Sequence, residues 1–208
     1  MPRIMPQKLK TFVRDEEGSS VVEMCFYLPM LVFIFVAMFT YFDLFRQQTV
    51  NLKAAYTISD LISRETEEIN DTYIDSMYNL HDLLTRVDTT IALRVSVVRW
   101  DDDDQRYYVD WSVQRGDTLT PWTDSSISDV KDNLPTMPDQ ERIILVETEN
   151  MVNAAFDLGA LPGLHDSLGI QNVSSFVFTR PRFASQVVYV SGYTSGSDHD
   201  DGGEEGID

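Results

Sequence analysis

The hydrophobic rhythm of the chain changes twice, and each change marks a new kind of element. From Met24 to Phe42 the sequence MCFYLPMLVFIFVAMFTYF runs for 19 residues without a charge. As a helix rising about 1.5 Å per residue, this run covers roughly 28 Å, close to the hydrocarbon thickness of a bilayer. Pro29 is its one interruption and predicts a kink, which membrane helices tolerate. Beyond Asp43 the pattern turns amphipathic. Leu44, Phe45, Leu52, Ala55, Tyr56, Ile58, Leu61 and Ile62 recur at three- and four-residue spacings, with charged and amide residues between them. No Gly or Pro lies between 43 and 69. One helix from about Ser19 to Arg64 is therefore predicted, roughly 70 Å long.

A second amphipathic helix is predicted at about 71–87, capped by Asn70 or Asp71. The period then becomes two. Ile91, Leu93, Val95 and Val97 share one face, and Tyr107, Val109, Trp111 and Val113 alternate with Asp110, Ser112 and Gln114. The DDDDQ stretch between these runs predicts a hairpin. A short helix is expected near 125–133 and a strand at 142–149. Residues 150–159 read as helix or irregular chain, and SSFVFTR and FASQVVYV read as two further strands or one bent strand about Pro181. From Gly192 the sequence is small and acidic without an apolar period, which predicts a disordered tail.

The fold class expected is α+β: a long N-terminal transmembrane and amphipathic helix, then a small antiparallel-sheet domain with the amphipathic helix on one sheet face. The division reads 1–18 leader, 19–42 transmembrane helix, 43–70 amphipathic continuation, 71–191 extracytoplasmic α+β domain and 192–208 acidic tail.

Charge sharpens the topology. Before the apolar run, Arg3, Lys8, Lys10 and Arg14 balance Asp15, Glu16, Glu17 and Glu23; after it stand 12 basic and 30 acidic residues, so the whole net charge of −18 lies C-terminal. Basic residues are denser on the N-terminal flank, which predicts that end cytoplasmic and the domain outside. So acidic an ectodomain argues against nucleic acid as a partner. The apolar run exceeds the 7–15 residues of a secretory signal core, and TYFDLF offers no small-residue cleavage site, so a retained segment is expected. Cys25 is the only cysteine, which precludes an intrachain disulfide.

Candidate chemistry is sparse. Asp101 to Asp104 raise calcium, but an EF-hand loop counted from Asp101 needs Gly and Glu where Arg106 and Ser112 stand. A solvated hairpin tip is the reading adopted. His81, His165 and His199 fall on a helix face, in a loop and in the tail, and form no spaced ligand motif. No nucleophile elbow or phosphate-cradling glycine loop is present. The chain is read as a non-enzyme with no catalytic residue, cofactor or metal.

Glu23 is the anomaly. A carboxylate inside an apolar helix costs about 2.5 kcal/mol or more at the bilayer centre and less near its edge, so a partner is expected. Here the N-terminus resembles prepilins of the type IV filament superfamily. RDEEG, then SSVV, then Glu23 and an unbroken apolar run follow their leader, glycine, spacer, glutamate and helix. The wider context, with Leu28-Pro29 and the later TRPRF at Thr179 to Phe183, looks like the TadE-like minor pilins of the tight-adherence (Tad/Flp) pilus system. The resemblance implies cleavage by a prepilin peptidase between Gly18 and Ser19, and pairing of Glu23 with the new Ser19 α-amine in its own or a neighbouring subunit. It also implies residence in the bacterial inner membrane or the pilus. The implied partners are membrane lipid, the peptidase, other Tad minor pilins or pilus subunits, and the inner-membrane platform. Met24 stands where the major Flp pilins have Tyr, and the domain far exceeds theirs, so a minor or assembly-associated role is favoured. The rival reading is an unprocessed single-pass anchored binding module, in which Glu23 is dispensable.

Overall fold

The computed structural model describes residues 17–86, 90–153, 156 and 171–191, with side chains from residue 21 onward. The expected tail lies outside the described residues, as do the leader up to residue 16, His165 and His199. The elements in chain order are α1 (Glu17–Ser63), β1 (Ile69–Asn70), α2 (Asp71–Thr85), β2 (Ile91–Asp101), β3 (Arg106–Arg115), a 3-10 helix (Ile127–Asn133), β4 (Arg142–Val152), β5 (Gln171–Thr179) and β6 (Tyr189–Val190). A long apolar N-terminal helix followed by a small antiparallel sheet domain makes the class α+β.

Two compact units divide the chain: Met1–Phe45 with Asn153–Gln171, and Arg46–Val152 with Asn172–Asp208. In the first unit, the α1 side chains from Val21 to Leu31 are all exposed, and most of those from Val32 to Phe42 are exposed too. An 18-residue window of this helix reaches a mean hydropathy of 2.3 with none of it buried, so α1 is long and apolar enough to cross a membrane. Pro29 lies inside it without ending it. The Thr40 hydroxyl, the one Ser or Thr hydroxyl between Met24 and Phe42, donates to Val36 O at 2.9 Å and so is satisfied within the helix.

The second unit is built on a four-stranded sheet of order β3-β2-β4-β5, in which β2 runs antiparallel to both β3 and β4. Ala55, Ile58 and Ile62 of α1 and Ile74 and Met77 of α2 pack on one face, against Leu93, Val95, Val97, Ile144, Val146 and Val177. These are the period-two and period-3.6 positions meeting each other, as alternation and amphipathicity require. The opposite face is covered as well. Ile127, Leu134 and Met137 from the connection between β3 and β4 bury Val98, Tyr107, Ile143 and Leu145. Residues 91–98 are consequently all buried, where one-sided packing would leave every second residue in water.

Three local details depart from the sequence expectation. Within the stretch 43–70 assigned to the amphipathic continuation, Ile69–Asn70 form a strand, while the helix itself ends at Ser63, next to the expected Arg64. The expected strand over 183–190 shrinks to Tyr189–Val190, which pairs in parallel with β1 in a separate two-stranded sheet. The register also shifts between Val97 and Val98, which pair with Trp111 and Val109. Asp110 is the extra residue of this bulge, and its carboxylate meets Arg142 Nε at 2.6 Å and Arg99 Nε at 3.5 Å.

Gly116 closes the sheet edge with φ of 85°, and a Cβ there would overlap Ile91 O and Ala92 Cα. Backbone atoms cannot yield as a flexible side chain can. Gly116→Ala is therefore expected to destabilise the domain by on the order of 2–3 kcal/mol, seen as a lower urea midpoint with unchanged slope.

Candidate functional site

Gly18 and Ser19 lie in the first turn of α1, and Glu23 follows one turn later with its side chain exposed. Ser19 and Glu23 stand four residues apart, the spacing that brings groups to neighbouring positions on one helix face. Glu23 is flanked by exposed apolar side chains: Val21 71%, Val22 57%, Met24 67% and Phe26 74%. Cys25 is exposed beside them. This is a carboxylate on a helix end whose surroundings offer it neither burial nor a described ion pair.

The other end of α1 is held by polar groups that sequence reading passed over. Asn51 sits among the amide positions of the amphipathic stretch, yet it is 1% exposed. Its Nδ2 donates to Ser175 Oγ at 2.9 Å and to Val173 O at 3.3 Å, both on β5. Its Oδ1 accepts from Thr148 Oγ1 of β4 at 3.0 Å and from His81 of α2 at 3.0 Å. One amide thus joins α1, α2, β4 and β5. Because Asn51 Oδ1 can only accept, His81 carries its proton on Nε2. Its Nδ1 is buried with no hydrogen-bond partner.

Burial pushes the His81 pKa down to about 4, with nearby Asp82 opposing the shift. Protonation would place an N–H on Nδ1 with no acceptor to receive it. Since the folded value lies below the unfolded one, the unfolded chain takes up the proton first, and stability is lost as pH falls from about 6.5 to about 4. Between pH 7 and pH 5 the loss from this one group is expected to be about 2 kcal/mol. Urea unfolding of the native chain and of His81→Gln at both pH values tests this. The variant should lose less stability over that interval, because its carboxylates are shared and only the imidazole is gone.

Arg182 secures the terminus of α1. The last turn of α1 contains no basic residue. The backbone N–H of Arg182 donates to Ser63 O at 2.8 Å, and its guanidinium meets Asp60 at 2.9 Å. Arg64 meets the same carboxylate at 2.7 Å. A cation and an N–H donor at the carbonyl end complement both the orphan acceptors and the helix dipole. Arg180 lies against Glu141 at 3.0 Å. Within the Arg-Pro-Arg element, Arg182 therefore braces the helix end, while Arg180 ties the same segment to the residue before β4.

On the far sheet face, Arg94 meets Glu147 with two bonds of 2.7 Å, at side-chain exposures of 8% and 10%. Trp122 Nε1 donates to Glu147 at 2.5 Å, and the Arg94 guanidinium lies 4.0 Å above the Trp122 ring. Arg94 also donates to Thr120 O at 2.5 Å. This set pins the connection after β3 to the sheet.

The acidic hairpin tip spends its carboxylates on itself. Asp101 accepts from the backbone N–H groups of Asp103 and Asp104 at 3.1 Å each, and the Asp104 bond is the chief reason its carboxyl is held below the usual range. Asp102 accepts from Gln105 at 2.9 Å, and Asp104 accepts from the Tyr108 hydroxyl. Among the described residues no group of three or more His, Cys, Asp and Glu side chains is placed to hold a metal ion.

No family model, curated protein or solved structure matches this chain.

Proposed function

We propose that the chain is a membrane-inserted minor pilin or pseudopilin of a Tad-type pilus, whose leader is removed between Gly18 and Ser19 by a prepilin peptidase. The observation that carries this reading is Glu23, an exposed carboxylate amid uncovered apolar helix surface, five residues beyond Gly18. Cleavage creates an α-amine at Ser19. Pairing with that amine lowers the cost of holding each charge away from water, in the same subunit or across to a neighbour. The positive end of the new helix N-terminus favours the carboxylate further. The work of the protein is then assembly: α1 docks among other pilin helices from the inner membrane, and the braced domain rides outside.

The test is the intact mass of the protein recovered from its own membranes, with and without the peptidase. A chain beginning at Ser19 only when the peptidase is present supports the reading. Gly18→Val should leave the leader on, and Glu23→Val should be cleaved but fail to enter assemblies. A chain that keeps its leader in both strains, and tolerates Glu23→Val, is an anchored module instead.

A further inference from the structure

The connection between β4 and β5 places one described side chain against the apolar part of α1. Phe156 meets Phe39 edge to face, with ring centroids 5.7 Å apart at 70°. With Phe35, Val36, Met38 and Phe42 it lines an open groove of about 420 Å³ whose exposed surface is almost wholly apolar. Phe156 is itself 47% exposed, so the contact does not bury it. Phe39 lies four residues before Asp43, the first charged residue after the apolar run. At about 1.5 Å per residue, the Phe39 ring is rooted some 6 Å inside that charge along the helix. A tilt of the usual size changes this depth little.

We infer that Phe156 is a second membrane anchor, seated in the bilayer interface at the level of Phe39 with lipid acyl chains filling the groove around it. The inference rests on α1 spanning a bilayer and adds a contact from a different part of the chain. Lipid is the occupant because the groove continues a surface that carries no charge from Met24 to Phe42 and is exposed on every side of the helix from Val21 to Phe35. Beside the groove Phe35 63%, Met38 52%, Phe39 56% and Phe42 67% stay exposed, while Thr40 on the other side is buried. A helix exposed and apolar on every side through Phe35 has no single face there reserved for one protein neighbour, and the groove opens onto that same surface. Asp157 follows directly in sequence, which sets Phe156 at the interface instead of the bilayer centre.

Cys25 being the sole cysteine makes the test simple. The full chain is reconstituted in phosphatidylcholine vesicles carrying one nitrobenzoxadiazole label. Three forms are compared: native Cys25, Cys25→Ser with Phe156→Cys, and Cys25→Ser with Ser125→Cys as an exposed domain position. Because Phe156 is half exposed, its replacement empties no core. The expected result is blue-shifted emission, quenched by phosphatidylcholine brominated on its acyl chains, at positions 25 and 156 but not at 125. Quenching at 25 with water-like emission at 156 overturns the inference and leaves the membrane reading of α1 intact. Blue-shifted but unquenched emission at 156 also overturns it, because the groove is then filled by protein. Absence of quenching at 25 removes the membrane reading and the inference with it.

Discussion

Replacing Arg94 with methionine is expected to cost the domain about 3–5 kcal/mol, the largest loss from any single polar substitution in this fold. The reason is what remains. Glu147 is about 10% exposed and takes both of its strong bonds from Arg94, so the variant holds a buried carboxylate with only Trp122 for company. Glu147→Leu should cost a similar amount by stranding the guanidinium. The double variant Arg94→Met with Glu147→Leu should be less destabilised than either single change, since neither charge is then left in the interior. Urea unfolding of the full chain in detergent, followed by tryptophan emission, measures all three. Trp122 stacks on Arg94 at 4.0 Å, so the same experiment reports locally on the pinned connection. A double variant as weak as the sum of the singles would mean that the two residues act separately.

Asn51→Leu is the second large effect expected, at roughly 4 kcal/mol. The change leaves three buried side-chain groups short of a partner, His81 Nε2, Thr148 Oγ1 and Ser175 Oγ, and takes a donor from Val173 O. A buried polar atom without a hydrogen bond costs about 1–3 kcal/mol, and losses within one network do not simply add. The leucine is apolar and of similar volume, so little of the loss is packing. Because Asn51 belongs to α1 while its partners belong to α2, β4 and β5, the variant should also loosen the helix from the sheet. Lys53 is exposed on that stretch and gives trypsin a reporter site. Faster cleavage after Lys53, beyond what the fall in global stability accounts for, is the expected result. Cleavage that merely tracks global unfolding would mean that the apolar contacts of Ala55, Ile58 and Ile62 hold the helix unaided.

These two sites explain how much of the molecule was legible in the sequence. The amphipathic part of α1 and the capped second helix appear because one face of each is buried and the other is not. The hairpin appears because its apolar residues alternate with polar ones, although both faces of residues 91–98 are covered. Asn70 is indeed the cap of α2, with its side chain accepting from Tyr73 N at 2.9 Å. The 3-10 helix at Ile127–Asn133 falls within the expected 125–133. Arg94 and Asn51, however, occupy positions that alternation and helical spacing mark only as polar. A polar residue on the second face of a strand reads as solvent-facing unless something is known to cover it. The cover for Arg94 comes from Thr120 and Trp122, some 26 residues away in sequence for Thr120, in a connection with no period of its own. Helical spacing places His81 only on a helix face, and that face is turned inward, with His81 0% exposed. The parallel pairing of β1 with β6 involves two residues on each strand, too few for any alternation to show.

The order of residues along the chain dictated the apolar helix, its amphipathic continuation and the pairing of neighbouring strands, because these depend on contacts between residues close in sequence. It also placed Glu23 beside Gly18 on one helix, since a spacing of a few residues is the same in any fold. The second cover on the sheet, the one amide that joins four elements and the arginine that closes the far end of α1 were decided only on folding. Each brings together groups between 25 and 124 residues apart, and a hydrogen bond specifies its partner by position in space.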